Sequence, residues 1–242
     1  MEAIKIDKLT KKYKDIVAVD NLSLSIQKGE LFSLLGINGA GKTTTIKMLS
    51  CLTQPTSGDA FLNDKSILRN SLDIKSIIAV SPQETAVARG LSVLENLELM
   101  CGVHGFSKDK RCEKISEVTK LLGLDSVINK KAGKLSGGWQ RRVSIAMALI
   151  SEPEILFLDE PTLGLDVIAR SDLWDIIRLL KGKVTIILTT HYMEEAEALS
   201  DRVGIMRDGK LLISDTPAKI KEAVGTDNFE QAFVAIVKGE LI

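Results

Sequence analysis

One stretch constrains this chain more than any other: a nearly apolar run, Glu30 to Leu35, that opens directly on Gly36-Ile37-Asn38-Gly39-Ala40-Gly41-Lys42-Thr43. An apolar run of this kind predicts a strand covered on both faces. The residues after it satisfy G-x-x-x-x-G-K-[ST] in full and lead into a helix expected over Lys42 to Leu52. Glycines let backbone N–H groups wrap an anion without Cβ clashes. The helix start adds unpaired N–H groups and the positive end of its dipole. Lys42 is placed to reach the β- and γ-phosphates of a nucleotide, and the Thr43 hydroxyl to ligate Mg²⁺. Asn38, Gly39, Ala40 and Thr44 belong to the same cradle.

A second apolar run ends in acid: Ile155-Leu156-Phe157-Leu158-Asp159-Glu160. Beside the phosphate loop, Asp159 is expected to hold Mg²⁺ through water and Glu160 to orient or deprotonate an attacking water. The two segments together read as nucleoside triphosphate hydrolysis.

The intervening pattern is α/β. Ile4 to Leu9, Val17 to Ile26, Ala60 to Leu62 and Ile77 to Val80 read as strands. Ser92 to Ile150 is mostly helical and opens with the capping-box pair Ser92-x-x-Glu95. Ile115, Val118, Leu121 and Leu122 make one helical stripe; Val143, Ala146, Met147 and Ile150 make a second, core-facing one. A helix over Ala169 to Lys181 then precedes the buried-type strand Val184 to Thr189. Asp208-Gly209 is a hairpin turn between Val203–Met206 and Lys210–Ile213.

Composition narrows the function. Lys plus Arg and Asp plus Glu both number 32, so the net charge is zero and whole-protein steering toward nucleic acid is not expected. Cys51, Cys101 and Cys112 form no CxxC pair, which reads as reduced thiols. Cys101-x-x-His104 has the look of half a metal site with no second half. The first residues, Met-Glu-Ala-Ile-Lys-Ile-Asp, do not have the form of a signal peptide. No apolar run approaches the ~20 residues of a membrane span.

Leu135-Ser136-Gly137-Gly138-Trp139-Gln140-Arg141 supplies a second glycine-rich helix start, far in sequence from the first. With the phosphate loop and Asp159-Glu160, it resembles the nucleotide-binding subunits of ATP-binding-cassette (ABC) transporters. The resemblance covers nearly the whole chain. It implies a P-loop core with an N-terminal antiparallel β-subdomain (residues 1–83 and 151–213), an inserted helical subdomain (84–150) and a short C-terminal helical tail (214–242). It implies ATP and Mg²⁺ as cofactors and a head-to-tail homodimer. In that dimer each ATP is clamped between one phosphate loop and the partner's Ser136, Gly137, Gly138 and Gln140. Tyr13 matches the family aromatic that stacks on adenine, and Gln83 the glutamine that touches Mg²⁺ and the water. Asp166, in Leu163-Gly164-Leu165-Asp166, matches the loop lining the dimer interface; His191 matches the histidine that contacts the γ-phosphate. Two positions depart from the pattern: Ile37 replaces a common Pro, and Trp139 replaces a common Gln.

Within that family, His191-Tyr192-Met193-Glu194-Glu195-Ala196-Glu197 and the ending with Asn228-Phe229-Glu230 and Phe233 are similar to the drug-, antibiotic- and ion-exporting branch. The leading expectation is an exporter motor at the cytoplasmic face of the membrane, meeting a separate integral membrane permease through Gln83 to Glu98. A nutrient-importer motor shares every ATP-site residue, though many carry a longer regulatory domain than the residues after Ile213 here. A soluble cassette acting on ribosomes or DNA typically carries two cassettes or long coiled-coil insertions. The transported substance has no signature in this chain.

Overall fold

The computed structural model describes residues 1–239, so the end of the expected tail, 240–242, lies outside them. The chain opens with two long strands, β1 (Glu2–Tyr13) and β2 (Ile16–Gln27). Both outrun the expected strands because simple alternation breaks inside them. Lys8 (φ 49°) and Asn21 (φ 52°) adopt left-handed backbone conformations, and the pairing slips between Ile6 and Leu9. Each bulge shifts the phase by one residue. Ile4, Ile6 and Leu9 therefore all face inward, against Val19, Leu22 and Ile26.

β3 (Leu31–Gly36) leads into α1 (Lys42–Leu49). The helix ends at Leu49 rather than Leu52. Ser50 turns its hydroxyl onto Ile46 O at 2.8 Å and Cys51 takes φ 56°, which stops the helical run. β4 (Ser57–Leu62) and β5 (Lys65–Ser66) complete an antiparallel sheet in the order β2-β1-β4-β5. A helix that the residue pattern did not announce, α2 (Ser71–Ile77), buries only Ile74 and delivers β6 (Ile78–Ser81).

Three helices follow: α3 (Val93–Val103), α4 (Lys108–Leu122) and α5 (Gly137–Leu149). The capping box forms, with Ser92 Oγ accepting from Glu95 N at 3.2 Å and Glu95 Oε2 accepting from Ser92 N at 2.6 Å. Val143, Ala146, Met147 and Ile150 are buried as expected; on α4, Val118 and Leu122 are buried while Ile115 and Leu121 are half-buried.

The chain then runs through β7 (Ile155–Asp159), α6 (Val167–Leu180), β8 (Thr185–Thr190), α7 (Met193–Leu199), β9 (Arg202–Arg207), β10 (Lys210–Asp215), α8 (Pro217–Glu222) and α9 (Phe229–Lys238). α6 begins at Val167, ahead of the expected Ala169, because Asp166 caps it by accepting from Ala169 N at 2.8 Å. β10 reaches Asp215, so the helical tail starts at Pro217 and comprises α8 and α9 among the described residues.

The second sheet has the order β10-β9-β3-β8-β7-β6, parallel from β9 to β6 with β10 antiparallel at the edge. Its strands β3, β7 and β8 are buried along their whole length because both faces are covered, whereas the edge strand β10 is partly exposed. Along β7, Ile155 and Phe157 pack toward the antiparallel sheet, whereas Leu156 and Leu158 pack toward α3–α5. Each such fully buried side chain contributes about 1.5–3 kcal/mol. Parallel direction has a second consequence. β3, β6, β7 and β8 release their carboxyl ends along one edge, where ligands of open α/β sheets bind. Among the described residues no helix is long and apolar enough to cross a membrane.

Candidate functional site

At that edge lies a cleft of about 720 Å³ lined by the phosphate loop, Tyr13, Gln83, Glu160 and His191. The loop is held by close backbone approaches. A Cβ on Gly36 would stand 2.6 Å from Met206 O of β9, and one on Gly41 (φ +103°) 2.4 Å from Ala18 O of β2. Glycine at these positions thus serves packing of the loop against its neighbours as much as access to an anion.

Lys42 is buried. Its Nζ donates to Gly36 O at 2.7 Å and Ile37 O at 3.2 Å, and lies 3.5 Å from Glu160 Oε1. Burial pulls its pKa below the ordinary lysine value, opposed by the charges of Glu160 and Asp159. Thr43 Oγ1 donates to Asp159 Oδ1 at 3.1 Å. The other partner of that carboxylate was not anticipated: Thr189 Oγ1, at the end of β8, donates to Asp159 Oδ1 at 2.5 Å. The same hydroxyl accepts from Glu160 N at 3.0 Å, and Thr189 O accepts from Glu160 N at 3.0 Å. These bonds hold Glu160 at φ 46°, a conformation non-glycine residues rarely adopt. The turn aims its carboxylate between Lys42 and His191, whose Nδ1 lies 3.4 Å from Glu160 Oε2. That buried Nδ1 has no hydrogen-bond partner among the described residues.

Tyr13 stands half-exposed at the rim, with Lys11 Nζ 5.0 Å from its ring centroid. The Gln83 side chain is exposed at the cleft. Asn38, Gly39, Ala40 and Thr44 line the cleft wall. The second set of expected residues sits elsewhere. Ser136, Gly138, Trp139 and Asp166 line a separate depression of about 310 Å³ between α5 and α6. Ser136 is the N-cap of α5 yet makes no side-chain cap, in contrast to Ser92, Ser107, Asp166, Thr216 and Asn228 on their helices. Gly137 packs near Leu165, and a Cβ on Gly138 would lie 2.9 Å from Ala169 Cβ. Gln140 Nε2 donates to Leu135 O at 2.8 Å. Within one chain, then, the two helix starts do not meet.

The residues at the cleft suit a polyphosphate with Mg²⁺. Backbone N–H groups of Gly39, Gly41, Lys42, Thr43 and Thr44 have no acceptor among the described residues. A hydroxyl beside one carboxylate is the sparse donor set Mg²⁺ takes when phosphates and waters complete its shell. No three His, Cys, Asp or Glu side chains gather into a metal cluster among the described residues. Cys101 is buried inside α3 and His104 is its exposed C-cap, so that pair makes no metal site.

A family model described as ABC transporter matches residues 19–163. The chain belongs to the ABC transporter family. Its fold is the one expected of an ABC ATPase, with a P-loop core, an antiparallel β-subdomain and a helical subdomain. The chain is similar to the probable multidrug ABC transporter ATP-binding protein YbhF of Escherichia coli (37% identity, 97% of this chain, 41% of that protein). It thus spans about two fifths of that relative's length. It is also similar to the daunorubicin resistance ATP-binding protein DrrA3 of Streptomyces coeruleorubidus (35% identity, 94% of this chain, 72% of that protein). An ABC transporter ATP-binding subunit superposes with a TM-score of 0.85 at 25% identity, covering 97% of this chain and 99% of that one. A bacterial ABC transporter cassette solved as a dimer superposes at 0.79 with 29% identity, covering 88% and 98%. In this ABC chain the residues at the start of α1 and those at the start of α5 line separate depressions.

Proposed function

We propose that this chain is the ATP-hydrolysing motor subunit of an ABC exporter, working as a head-to-tail pair at the cytoplasmic face of a membrane beside a separate permease. The observation that carries this reading is the division of the site. Lys42, Thr43, Gln83, Glu160 and His191 face one cleft, while Ser136 and Gly138 face another. Two copies placed head to tail complete both sites at once.

In this reading Tyr13 stacks on the adenine, and the loop from Gly36 to Thr44 binds the phosphates through its free N–H groups. Lys42 reaches the β- and γ-phosphates. Thr43, Asp159 and Gln83 hold Mg²⁺, which when bound neutralises charge on the phosphate oxygens. Glu160 accepts a proton from the attacking water, and His191 steadies the γ-phosphate. Ser136, Gly137, Gly138 and Gln140 of the partner close the site, with Asp166 at the interface. Closure needs the γ-phosphate as a shared contact, so its loss on hydrolysis releases the pair. Gln83 to Glu98 carries that motion to a permease helix.

Export rests on the sequence resemblance and on relatives named for multidrug transport and daunorubicin resistance. An importer motor uses the same ATP-site residues. Tagged Glu160→Gln protein, recovered from solubilised native membranes with Mg-ATP, separates the readings by its co-purifying proteins. A multi-helix permease alone supports export. A permease with an extracytoplasmic binding protein moves the reading to import. Ribosomal or DNA-repair proteins without a membrane partner overturn both.

A further inference from the structure

Arg141 is a buried cation that the site described above does not use. It sits on α5, about one and a half turns from the Ser136 cap, and is 4% exposed. Among the described residues no carboxylate lies within ion-pair distance of it; Asp159 and Glu195 act on its charge only from further away. Its Nη1 donates to Pro82 O at 2.6 Å, and its Nη2 to Gln83 O at 2.5 Å. A guanidinium is the side chain suited to this, because its fork presents two parallel donors and stays charged when buried. Burying a charge without a counter-ion is unfavourable unless its donors are satisfied, and here main-chain carbonyls satisfy them.

The neighbouring contact repeats the pattern. Ser144, one turn further along α5, has its Oγ 3.0 Å from Ser81 Oγ. Positions 141 and 144 share a helix face. α5 therefore grips three consecutive residues, Ser81, Pro82 and Gln83, at the carboxyl end of β6. That strand is the edge of its sheet, paired on one side only by β7. The Gln83 side chain itself is exposed at the cleft and makes no hydrogen bond among the described residues. Its backbone carbonyl is thus tied to the helix whose first residues include the glycines of the other half-site.

We infer that Arg141 is the positioning residue for Gln83: it makes the place of Gln83 in the nucleotide cleft depend on the orientation of α5. A displacement at the Ser136 end of the helix moves the guanidinium, and with it the main chain that carries Gln83 toward its own chain's nucleotide. Each half-site thereby reports its engagement to the other half-site of the same chain. The inference rests on the assignment of Gln83 to the cleft made above.

The test uses the purified full chain as Arg141→Met, Arg141→Lys, Gln83→Ala and the double variant Gln83→Ala with Arg141→Met. ATP affinity, ATPase rate and hydrogen exchange of segment 82–87 without nucleotide are measured. Arg141→Met is expected to lower kcat about tenfold while ATP affinity stays within about twofold. Exchange over 82–87 accelerates while the interior of α5 stays protected. In the Gln83→Ala background Arg141→Met adds no further loss, the non-additivity of two residues acting as one unit. Arg141→Lys, with one nitrogen facing two carbonyls, falls between and is read alone if the methionine variant does not fold. Independent, multiplying effects of Gln83→Ala and Arg141→Met, or unchanged exchange over 82–87, overturn the inference and leave Arg141 a packing element. Unchanged turnover in Gln83→Ala overturns the Gln83 assignment itself and the coupling with it. In that case accelerated exchange in Arg141→Met still identifies the tether, so the two failures are told apart.

Discussion

Lys42 Nζ stands 3.5 Å from Glu160 Oε1, and both side chains are buried. The pair joins the start of α1 to the turn after β7, so the cation and the carboxylate to which the proposed function assigns phosphate and water are held side by side. Two carbonyls of the phosphate loop share the same ammonium. Because burial works against the charged lysine, an arriving phosphate strengthens its charged state and is favoured in return.

Lys42→Ala removes this contact. Charge-assisted hydrogen bonds are worth about 1.5–3 kcal/mol, so ATP affinity is expected to fall about 10- to 100-fold. Calorimetric titration checks it, and an unchanged affinity removes Lys42 from the site.

The glycines of the loop differ in kind. Gly41 and Gly39 both have positive φ, 103° and 84°, but a Cβ on Gly41 would stand 2.4 Å from Ala18 O, whereas one on Gly39 meets nothing within 4 Å. Gly41→Ala is expected to destabilise by about 2 kcal/mol or more, and Gly39→Ala by about 1 kcal/mol. Urea melts rank the two, and equal losses contradict the packing role of Gly41.

Glu195 on α7 is fully buried, and one carboxylate oxygen accepts from Trp174 Nε1 at 3.0 Å. Burial raises its pKa above the ordinary 4.5, opposed by the hydroxyls of Thr190 and Thr162, the Trp174 indole and the charge of Arg170. The folded state therefore holds a proton that the unfolded chain has already released. That contribution is complete below the ordinary value and is lost as pH rises toward the raised one. Glu195→Gln is expected to abolish this decline and to match or exceed the parent's stability at its alkaline end. Denaturant melts across pH test it; an unaltered slope in the variant contradicts it.

Much of the site was legible because its chemistry is written in contiguous segments. The loop from Gly36 to Thr43 and the acid pair at Asp159-Glu160 each follow an apolar strand, and parallel strands bring such ends to one edge. Phase-shifting bulges were not legible, since nothing local marks Lys8 and Asn21 as left-handed. Neither were Thr189 and Arg141, whose roles depend on partners brought close only by the sheet and by α5. A hydroxyl ending an apolar strand was the one available sign for Thr189.

Thr189→Val tests the role of this hydroxyl. It strips one hydrogen bond from Asp159 and one from the Glu160 turn, so a loss of about 1–3 kcal/mol in stability is expected. Turnover is expected to fall about tenfold as Glu160 loses its fixed aim. Wild-type turnover in a folded Thr189→Val protein contradicts this role.

The clamp itself is tested most directly by the mass of Glu160→Gln protein in solution, measured by sizing with light scattering in saturating Mg-ATP and again without nucleotide. The chain mass is 26.4 kDa. With turnover blocked and the γ-phosphate retained, the head-to-tail clamp requires twice that mass in Mg-ATP and the single-chain mass in its absence. A species that stays at the single-chain mass in saturating Mg-ATP contradicts the clamp.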